Sequence, residues 1–209
     1  FMEAWKNTAR KEIVEQKIIA KSANAQFESL KNQLDPHFLF NSLNVLDALI
    51  EENPTQAQKF TNDMSKIYRY VLDQKDKELV TIQEEIDFAK TYAELLKTRF
   101  EDSVSFNFDV PNETLQQYVV PLSLQLLLEN AIKHNYATSK KPLNIKISKQ
   151  DGFLVIQNNL QAREVVKERD GIGLSNIVQR YALLTKRNLF IEKSEETFSV
   201  KIPILTEKK

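Results

Sequence analysis

Cysteine is absent from the 209-residue sequence, and histidine and glycine are scarce, with two and three residues. Without cysteine there is no disulfide framework, no thiolate metal site and no cysteine nucleophile. An excess of charge of one sign is also lacking, since 29 basic and 29 acidic residues leave a formal net charge of zero. Such a chain has no global electrostatic reason to bind nucleic acid or an anionic membrane, so we expect neither as a direct partner.

Long apolar runs are lacking as well. None approaches the roughly 20 residues that a membrane-spanning helix needs, and no signal-peptide pattern is present. A helical pattern is already under way in residues 1–5, so we expect a further segment of the protein upstream of Phe1.

The first hundred residues contain no glycine and are predicted to be helical. Between residues 5 and 34, mostly apolar residues recur at spacings of three and four, which is typical of a coiled coil. We predict a dimeric stalk here, and a single amphipathic helix packed on its own domain is the alternative. The stripe consists of Trp5, Ala9, Ile13, Gln16, Ala20, Ala23, Phe27, Leu30 and Leu34.

Turn and capping residues divide the rest of this half. Asn53-Pro54-Thr55 predicts a turn, and a second apolar stripe follows it, so the two helices form a hairpin. In a dimer, two hairpins make a four-helix bundle. Thr81 and Glu84 stand at the spacing of a capping box, which predicts the start of a third helix.

The periodicity changes after Phe100. Residues 104–110 alternate apolar and polar side chains, as a half-buried strand does. Two further strand-like runs, 143–147 and 153–156, flank Asp151-Gly152, a pair that favours a tight hairpin turn. Helices are predicted at 122–135, opened by Pro121, and at 174–185, and a closing hairpin at 189–191 and 198–204.

These elements predict an α+β fold. An N-terminal helical hairpin forms a dimeric four-helix bundle, and an α/β sandwich with a mostly antiparallel sheet follows it. We place the domain boundary at Phe100–Glu101, which gives a stalk and helical domain of residues 1–100 and a sandwich domain of residues 101–209.

His37 is a candidate functional residue because of its surroundings, QLDPHFLFNSLN over residues 33–44. A lone helical histidine is usually structural, but Pro36 is expected to kink or start a helix just before this one. An imidazole is largely neutral near pH 7, so one ring nitrogen can accept a phosphoryl group while the other donates to an orienting acceptor. Asp35 is the nearby candidate for that orienting role.

The same twelve residues resemble the phosphoacceptor segment of the LytS-type sensor histidine kinases, roughly Q-x-N-P-H-F-L-F-N-x-L-N. Asp35 stands where that family usually has asparagine. Residues 68–70 and 81–100 resemble the remainder of the family's helical domain. The resemblance implies that His37 is the phosphoacceptor, with Asp35 beside it as a catalytic residue.

A second polar group lies on the helix predicted at 122–135. On helical spacing Asn130, Lys133 and His134 share one side, while Glu129 lies with Leu122, Gln125 and Leu126 on another. An amide oxygen suits Mg²⁺ and a lysine suits phosphate, so the trio fits a metal-bound nucleotide, with a solvated helix face as the alternative.

This helix resembles the asparagine box of the histidine-kinase ATPase domain. The resemblance implies that residues 101–209 bind ATP and Mg²⁺, with Asn130 as the magnesium ligand. It also implies that Glu129 is catalytic, that Glu129 and Lys133 lie beside the phosphates, and that His134 belongs to the nucleotide site.

Residues 170–174, Asp-Gly-Ile-Gly-Leu, precede a helical segment whose free N–H groups could bind phosphate. With Asn176 and Arg180-Tyr181 behind them, they resemble the family's G-x-G-L-x-N pattern. The resemblance implies that Gly171, Gly173 and Leu174 bind the nucleotide, at the hinge of a lid formed by residues 160–169.

One segment departs from the family. Related ATPase domains have D-x-G-x-G after the strand where this chain has Asn158-Asn159-Leu160. Asn158 falls at the position of the aspartate that binds the adenine amino group, and a neutral amide accepts that bond more weakly than a carboxylate. We expect reduced adenine affinity.

The resemblance implies a two-component sensor kinase core that autophosphorylates His37 within a homodimer and passes the phosphoryl group to an aspartate in the receiver domain of a response regulator. We expect this core to be the cytoplasmic domain of an inner-membrane sensor, attached to the membrane only through the segment upstream of Phe1. A degenerate pseudokinase that acts as a dimeric partner-binding module is the alternative. A coiled-coil adaptor explains residues 1–100 but leaves the second half without a role.

Overall fold

The computed structural model describes residues 36–74, 77–162 and 172–206. They belong to two compact units, which divide between Asn44 and Val45. The first unit contributes residues 36–44, and the second contributes everything described from Val45 onward. The apolar stripe predicted between residues 5 and 34 lies outside the described residues. Within the described ranges, no helix has the length and apolarity needed to span a bilayer.

Two helices border the turn predicted at residue 53. Helix α1 is Pro36–Glu52, and helix α2 is Pro54–Asp73. Oδ1 of Asn53 accepts a hydrogen bond of 3.1 Å from the backbone N–H of Gln56, which caps α2. Pro54 lies in the first turn, where the N–H that it lacks would have no helical partner. The turn is confirmed, and the dimeric four-helix bundle stays a prediction.

Helix α3 (Ile82–Phe100) begins at the predicted capping box. The backbone N–H of Glu84 donates to Oγ1 of Thr81 at 3.2 Å, and the backbone N–H of Thr81 donates to Oε2 of Glu84 at 2.8 Å. The pair satisfies two N–H groups that the helix start would leave without partners. The buried face of α3, part of which packs on α2, consists of Ile82, Glu85, Ile86, Phe88, Ala89, Tyr92, Ala93, Leu95 and Leu96.

Seven strands form two sheets. In chain order they are β1 (Val80–Thr81), β2 (Val104–Asp109), β3 (Tyr118–Val119), β4 (Leu143–Gln150), β5 (Phe153–Asn159), β6 (Phe190–Lys193) and β7 (Thr197–Pro203). The larger sheet has the order β2-β4-β5-β7-β6. Its β2 and β4 are parallel, and its other neighbouring strands are antiparallel. The predicted α+β class with a mostly antiparallel sheet is confirmed.

The turn between β4 and β5 is at Asp151 and Gly152, as predicted. Their φ angles are 46° and 76°, so both residues have the left-handed conformation that a tight hairpin turn requires. The small sheet of β1 and β3, in which Val80 lies opposite Val119, was not predicted. Strands of two residues are too short to show an alternating pattern.

Helices α4 (Ser123–His134) and α5 (Ile172–Leu184) complete the sandwich. Helix α4 packs against β4, β5 and α5, and it also contacts α3. Its apolar face follows the helical period, with Leu124, Leu127, Leu128 and Ala131 buried. Contacts between α3 and α4 therefore cross the domain boundary predicted at Phe100–Glu101, and that boundary stays a prediction.

Candidate functional site

His37 lies on helix α1, directly after Pro36. The motif around it is helical wherever the structure describes it, from residue 36 to residue 44. Asp35 lies outside the described residues. The phosphoacceptor role of His37 and the orienting role of Asp35 stay predictions.

The C-terminal half of α4 carries the predicted nucleotide-binding residues. Glu129, Asn130 and His134 are half-buried and Lys133 is exposed, next to an apolar face that is buried. A partly accessible side chain can meet a ligand and still be held by the protein. This exposure suits the predicted cluster of Asn130, Lys133 and His134, whose nucleotide-binding role stays a prediction.

Two side chains fix the carboxylate of Glu129. The hydroxyl of Tyr92, on α3, donates to its Oε1 at 2.9 Å. Nε2 of Gln125, one turn earlier on α4, donates to the same oxygen at 2.8 Å. Hydrogen bonds to a charged acceptor are stronger than neutral ones, so the two bonds hold the carboxylate of Glu129 in one orientation. Sequence reasoning placed Gln125 and Glu129 on one side of the helix correctly, but it did not single out Tyr92 as a site residue.

Asn158 lies near the end of β5, on the side of the sheet that the helices cover. It follows Leu154 and Ile156 at the two-residue period of a strand, and all three are buried. Its Nδ2 donates to the backbone carbonyl of Asn159 at 2.7 Å. One of its two amide N–H donors is thus used inside the protein, and Oδ1 is the acceptor that Asn158 would offer to a ligand.

Asn135 joins the end of α4 to the end of β5. Its Oδ1 accepts a hydrogen bond of 2.7 Å from the backbone N–H of Gln161, and its Nδ2 donates to the carbonyl of Ala131 at 2.8 Å. The backbone N–H of Tyr136 also donates to the carbonyl of Gln161 at 2.8 Å. The helix that carries Glu129 and the strand that carries Asn158 are thereby held side by side.

The predicted lid begins next to this connection. Of residues 160–169, the structure describes 160–162, and Gly171 also lies outside the described residues. Gly173 and Leu174 lie in the first turn of α5, which begins at Ile172, two residues before the predicted start at residue 174. Their nucleotide-binding roles, and that of Gly171, stay predictions.

Glu85, on α3, is the main site residue that sequence reasoning missed. It is completely buried, and its carboxylate accepts three hydrogen bonds. The backbone N–H groups of Leu122 and Leu124 donate to Oε2 and Oε1 at 3.1 and 2.9 Å. The hydroxyl of Tyr70, on α2, donates to Oε2 at 2.9 Å. A side chain from α3 therefore caps the start of α4.

Burial raises the pKa of Glu85 to about 7, because the ionised form loses its hydration. The hydrogen bonds from Leu124, Tyr70 and Leu122 and the charge of Arg180 act in the opposite direction. Burial also raises the pKa of Tyr70, and the charge of Glu85 adds to that effect. The raised pKa means that the Tyr70 hydroxyl keeps its proton and donates it in the hydrogen bond to Glu85.

The sequence did contain a signal for Glu85. Its position, seven residues before Tyr92, puts it on the apolar face of α3, and a carboxylate on such a face needs partners. The partners themselves had no signal, since Leu122 and Leu124 lie 37 and 39 residues further along the chain.

The described residues offer limited ligands for Mg²⁺. No group of three or more His, Asp or Glu side chains among them is arranged to hold a metal ion. Mg²⁺ keeps several waters and is usually held by one or two protein ligands together with substrate phosphates. The half-buried amide of Asn130 fits that mode, in which most of the coordination comes from the nucleotide and water.

Comparison with known proteins identifies the family. A family model described as Histidine kinase matches residues 25–104. Sensor histidine kinase BtsS of Escherichia coli strain K12 is 30% identical over 165 residues, which are 77% of this chain and 29% of that protein. Sensor histidine kinase/phosphatase LytS of Staphylococcus aureus strain Mu50 is 28% identical over 152 residues, 73% of this chain and 25% of that protein. The chain belongs to the LytS-type sensor histidine kinase family.

The family resemblance inferred from residues 33–44 is therefore confirmed. The chain spans less than a third of the length of these two relatives. Among solved structures, a histidine kinase from Burkholderia phymatum STM815 overlaps 86% of this chain and 99% of its own chain, with 12% identity and a TM-score of 0.44.

Proposed function

We propose that this LytS-type chain is the core of a two-component sensor kinase, which uses ATP to phosphorylate His37 and then passes the phosphoryl group to a response regulator. The main observation in support of ATP use is the carboxylate of Glu129, which two hydrogen bonds hold in place. It lies on one helix with Asn130 and Lys133, the residue types that suit a magnesium-bound triphosphate. The family membership supports the histidine half.

In the proposed reaction the unprotonated ring nitrogen of His37 attacks the γ-phosphorus of ATP. The bond from that phosphorus to the β,γ-bridging oxygen breaks, and ADP leaves with the electron pair. The other ring nitrogen keeps its proton and donates to Asp35, which holds the ring in one tautomer. The receiver aspartate then attacks the phosphohistidine, and His37 leaves as the neutral imidazole. The protein contributes positioning and charge neutralisation.

The nucleotide residues have distinct proposed roles. Asn130 contributes an amide oxygen to Mg²⁺, and Lys133 neutralises phosphate charge. His134 lies one residue further along the same helix end. Asn158 offers Oδ1 to the adenine amino group. Gly171, Gly173 and Leu174 would close the site at the start of α5.

The direct test is incubation of the chain with Mg²⁺ and γ-labelled ATP. We expect acid-labile, base-stable label on the protein, which is the signature of a phosphohistidine, and its transfer to a receiver domain. Absence of the label from a chain that binds ATP analogues would contradict the kinase proposal.

We further propose that the active form is a homodimer assembled through residues 1–75, and that the whole protein is an inner-membrane sensor with this part in the cytoplasm. The stripe between residues 5 and 34 supports dimerisation, and its small and polar members imply modest affinity. Analytical ultracentrifugation showing only monomer at high micromolar concentration would contradict the dimer.

A second candidate is a pseudokinase that binds partners without phosphorylating His37. The observation that favours it is Asn158-Asn159-Leu160, which lacks the aspartate and glycines of the family pattern. Calorimetry with a non-hydrolysable ATP analogue separates the two, since a pseudokinase with an inert pocket would release no heat of binding.

A further inference from the structure

The segment that begins α4 has an unusual conformation. Leu122 is buried and has φ 64°, in the left-handed region that a branched side chain rarely adopts. As the N-cap residue it provides no side-chain hydrogen bond to the helix. A local Ser, Thr, Asp or Asn would cap α4 without outside help. The start of α4 instead depends on groups from other helices.

Glu85 supplies the missing cap. Its two oxygens accept from the N–H groups of Leu122 and Leu124, as a local N-cap residue would. One turn into the helix, the N–H of Leu126 donates to the carbonyl of Leu122 at 3.2 Å, so the first helical bond starts from the same strained residue. The position of Glu85 therefore fixes where α4 begins.

Helix α5 holds the same segment from another direction. Nη1 of Arg180 donates to the carbonyl of Pro121 at 2.9 Å, and the hydroxyl of Tyr181 accepts from the N–H of Val120 at 3.3 Å. The charge of Arg180 also acts on Glu85. In the chain, α5 directly follows the segment predicted to be the nucleotide lid.

Helix α2 reaches this junction through one side chain. The ring of Tyr70 stacks on Phe88 of α3, with ring centroids 4.3 Å apart, so the direction of its hydroxyl is constrained. That hydroxyl donates to the same oxygen of Glu85 that accepts from Leu122. A shift of α2 along α3 would withdraw this donor and change the charge balance at the cap of α4.

We propose that Glu85 is a positioning residue of the kinase, which couples the position of α2, through Tyr70, to the nucleotide-binding helix α4. The proposal rests on the proposed function, because it concerns Glu129 and Asn130 as nucleotide-binding groups. Glu85 touches no reacting atom. It acts on α4 through Leu122 and Leu124, and on the helical half of the protein through Tyr70.

The test uses the full 209-residue chain. Tyr70→Phe removes the donor and keeps the stacked ring. We expect it to weaken binding of a non-hydrolysable ATP analogue with Mg²⁺ by roughly fivefold, the lower end of usual coupling between sites. In the Glu85→Gln variant, Tyr70→Phe should not weaken binding of the analogue further, since the contact from Tyr70 to position 85 is already altered. Tyr118→Phe is the matched control, because Tyr118 lies in β3 and bonds to Leu205 through its backbone.

Amide hydrogen exchange gives a readout that needs no nucleotide. Tyr70→Phe should speed exchange at Leu124 and Leu126 and leave the amides of β4 and β5 unchanged. Two results would overturn the proposal, even if the thermal midpoint falls. One is that Tyr70→Phe weakens binding of the analogue equally in the unmodified chain and in the Glu85→Gln chain. The other is that Tyr70→Phe leaves the affinity of a chain that binds the analogue unchanged. If the unmodified chain does not bind the analogue, the proposed function fails, and hydrogen exchange alone tests the coupling between α2 and α4. Faster exchange in Tyr70→Phe that depends on Glu85 supports the coupling. Unchanged exchange overturns it.

Discussion

The hydroxyl of Tyr92 donates a hydrogen bond of 2.9 Å to Oε1 of Glu129, 37 residues further along the chain. Tyr92 is almost completely buried, and its ring lies beside that of Phe88, with centroids 6.2 Å apart. The ring packing leaves the phenol little freedom. A side chain from the helical half thus orients the proposed catalytic carboxylate of the sandwich.

Tyr92→Phe is expected to slow the labelling of His37 by about tenfold. A hydrogen bond to a charged group is worth about 1.5 to 3 kcal/mol, and about 1.4 kcal/mol at the transition state corresponds to tenfold in rate. The KM for ATP should change less than the rate constant, because Gln125 still holds Glu129 in the ground state. Initial rates at several ATP concentrations measure both. Tyr118→Phe serves as the control, and equal rates for the Tyr92 variant and the unmodified chain would contradict the assignment.

His37→Gln is expected to abolish acid-labile labelling and to leave ATP affinity close to unchanged. The proposed acceptor and the proposed nucleotide residues lie on different helices, α1 and α4. Labelling after acid and base treatment, together with calorimetry, measures the two quantities. The paired variant His134→Gln should show the opposite pattern, with weaker nucleotide binding and residual label. Label at the original rate on the His37 variant would move the acceptor role elsewhere.

Stability should depend on pH through Glu85. Its pKa in the folded state is about 7 against an ordinary 4.5, because burial disfavours the ionised form despite Tyr70 and the Arg180 charge nearby. Between these values the folded protein holds a proton that the unfolded chain has released. The contribution of Glu85 to the free energy of unfolding is fully present below pH 4.5 and is lost as pH rises through 7. It amounts to at most about 3 kcal/mol.

The comparison with Glu85→Gln isolates this contribution. Urea unfolding between pH 5 and 8 gives the free energy of unfolding of both proteins. The contributions of the other titrating groups cancel in the difference between the two values. We expect the unmodified chain to lose stability relative to the variant as pH rises across this window. A difference that is constant with pH would mean that Glu85 stays ionised throughout.

Local features of the fold were predictable from the sequence because their causes are local. Thr81 and Glu84 are three residues apart, and Asp151 and Gly152 are adjacent, so each pair carries its own geometric requirement. Alternation predicted β2 in the same way, and two strand-like runs beside Asp151-Gly152 predicted β4 and β5. The predicted helix at 122–135 differs from α4 by one residue at each end, within the usual uncertainty of helix boundaries.

The junction at Glu85 was not predictable by the same means. The segment around the left-handed Leu122 is held by an acceptor on α3 and by hydrogen-bonding groups on α5. Nothing in residues 118–126 requires that conformation. The apolar period of α3 puts Glu85 and Tyr92 on the buried face of the helix but does not specify which groups they contact. Tertiary hydrogen bonds between residues far apart in the sequence leave no periodic pattern.

Asn158→Asp is expected to tighten ATP binding by less than tenfold. A carboxylate accepts the bond from the adenine amino group more strongly than an amide does, and the full difference of about 1.4 kcal/mol would be tenfold. The structure reduces that gain. Nδ2 of Asn158 donates to the carbonyl of Asn159, and an aspartate would lose this donor and set a charged oxygen against the carbonyl. We therefore also expect the free energy of unfolding to fall by about 1 kcal/mol.

Calorimetry with ATP and GTP analogues decides whether Asn158 faces adenine. GTP has a carbonyl where ATP has the amino group, so the new carboxylate should weaken GTP binding while it strengthens ATP binding. Asn107→Asp provides the charge-matched control, because Asn107 is exposed on β2 and should change neither affinity. If the added negative charge acted only as a general electrostatic effect, both variants would bind both nucleotides more weakly. Equal or weaker ATP binding by the Asn158 variant, with GTP unaffected, would mean that this residue does not contact the base and that adenine recognition lies elsewhere on the sheet.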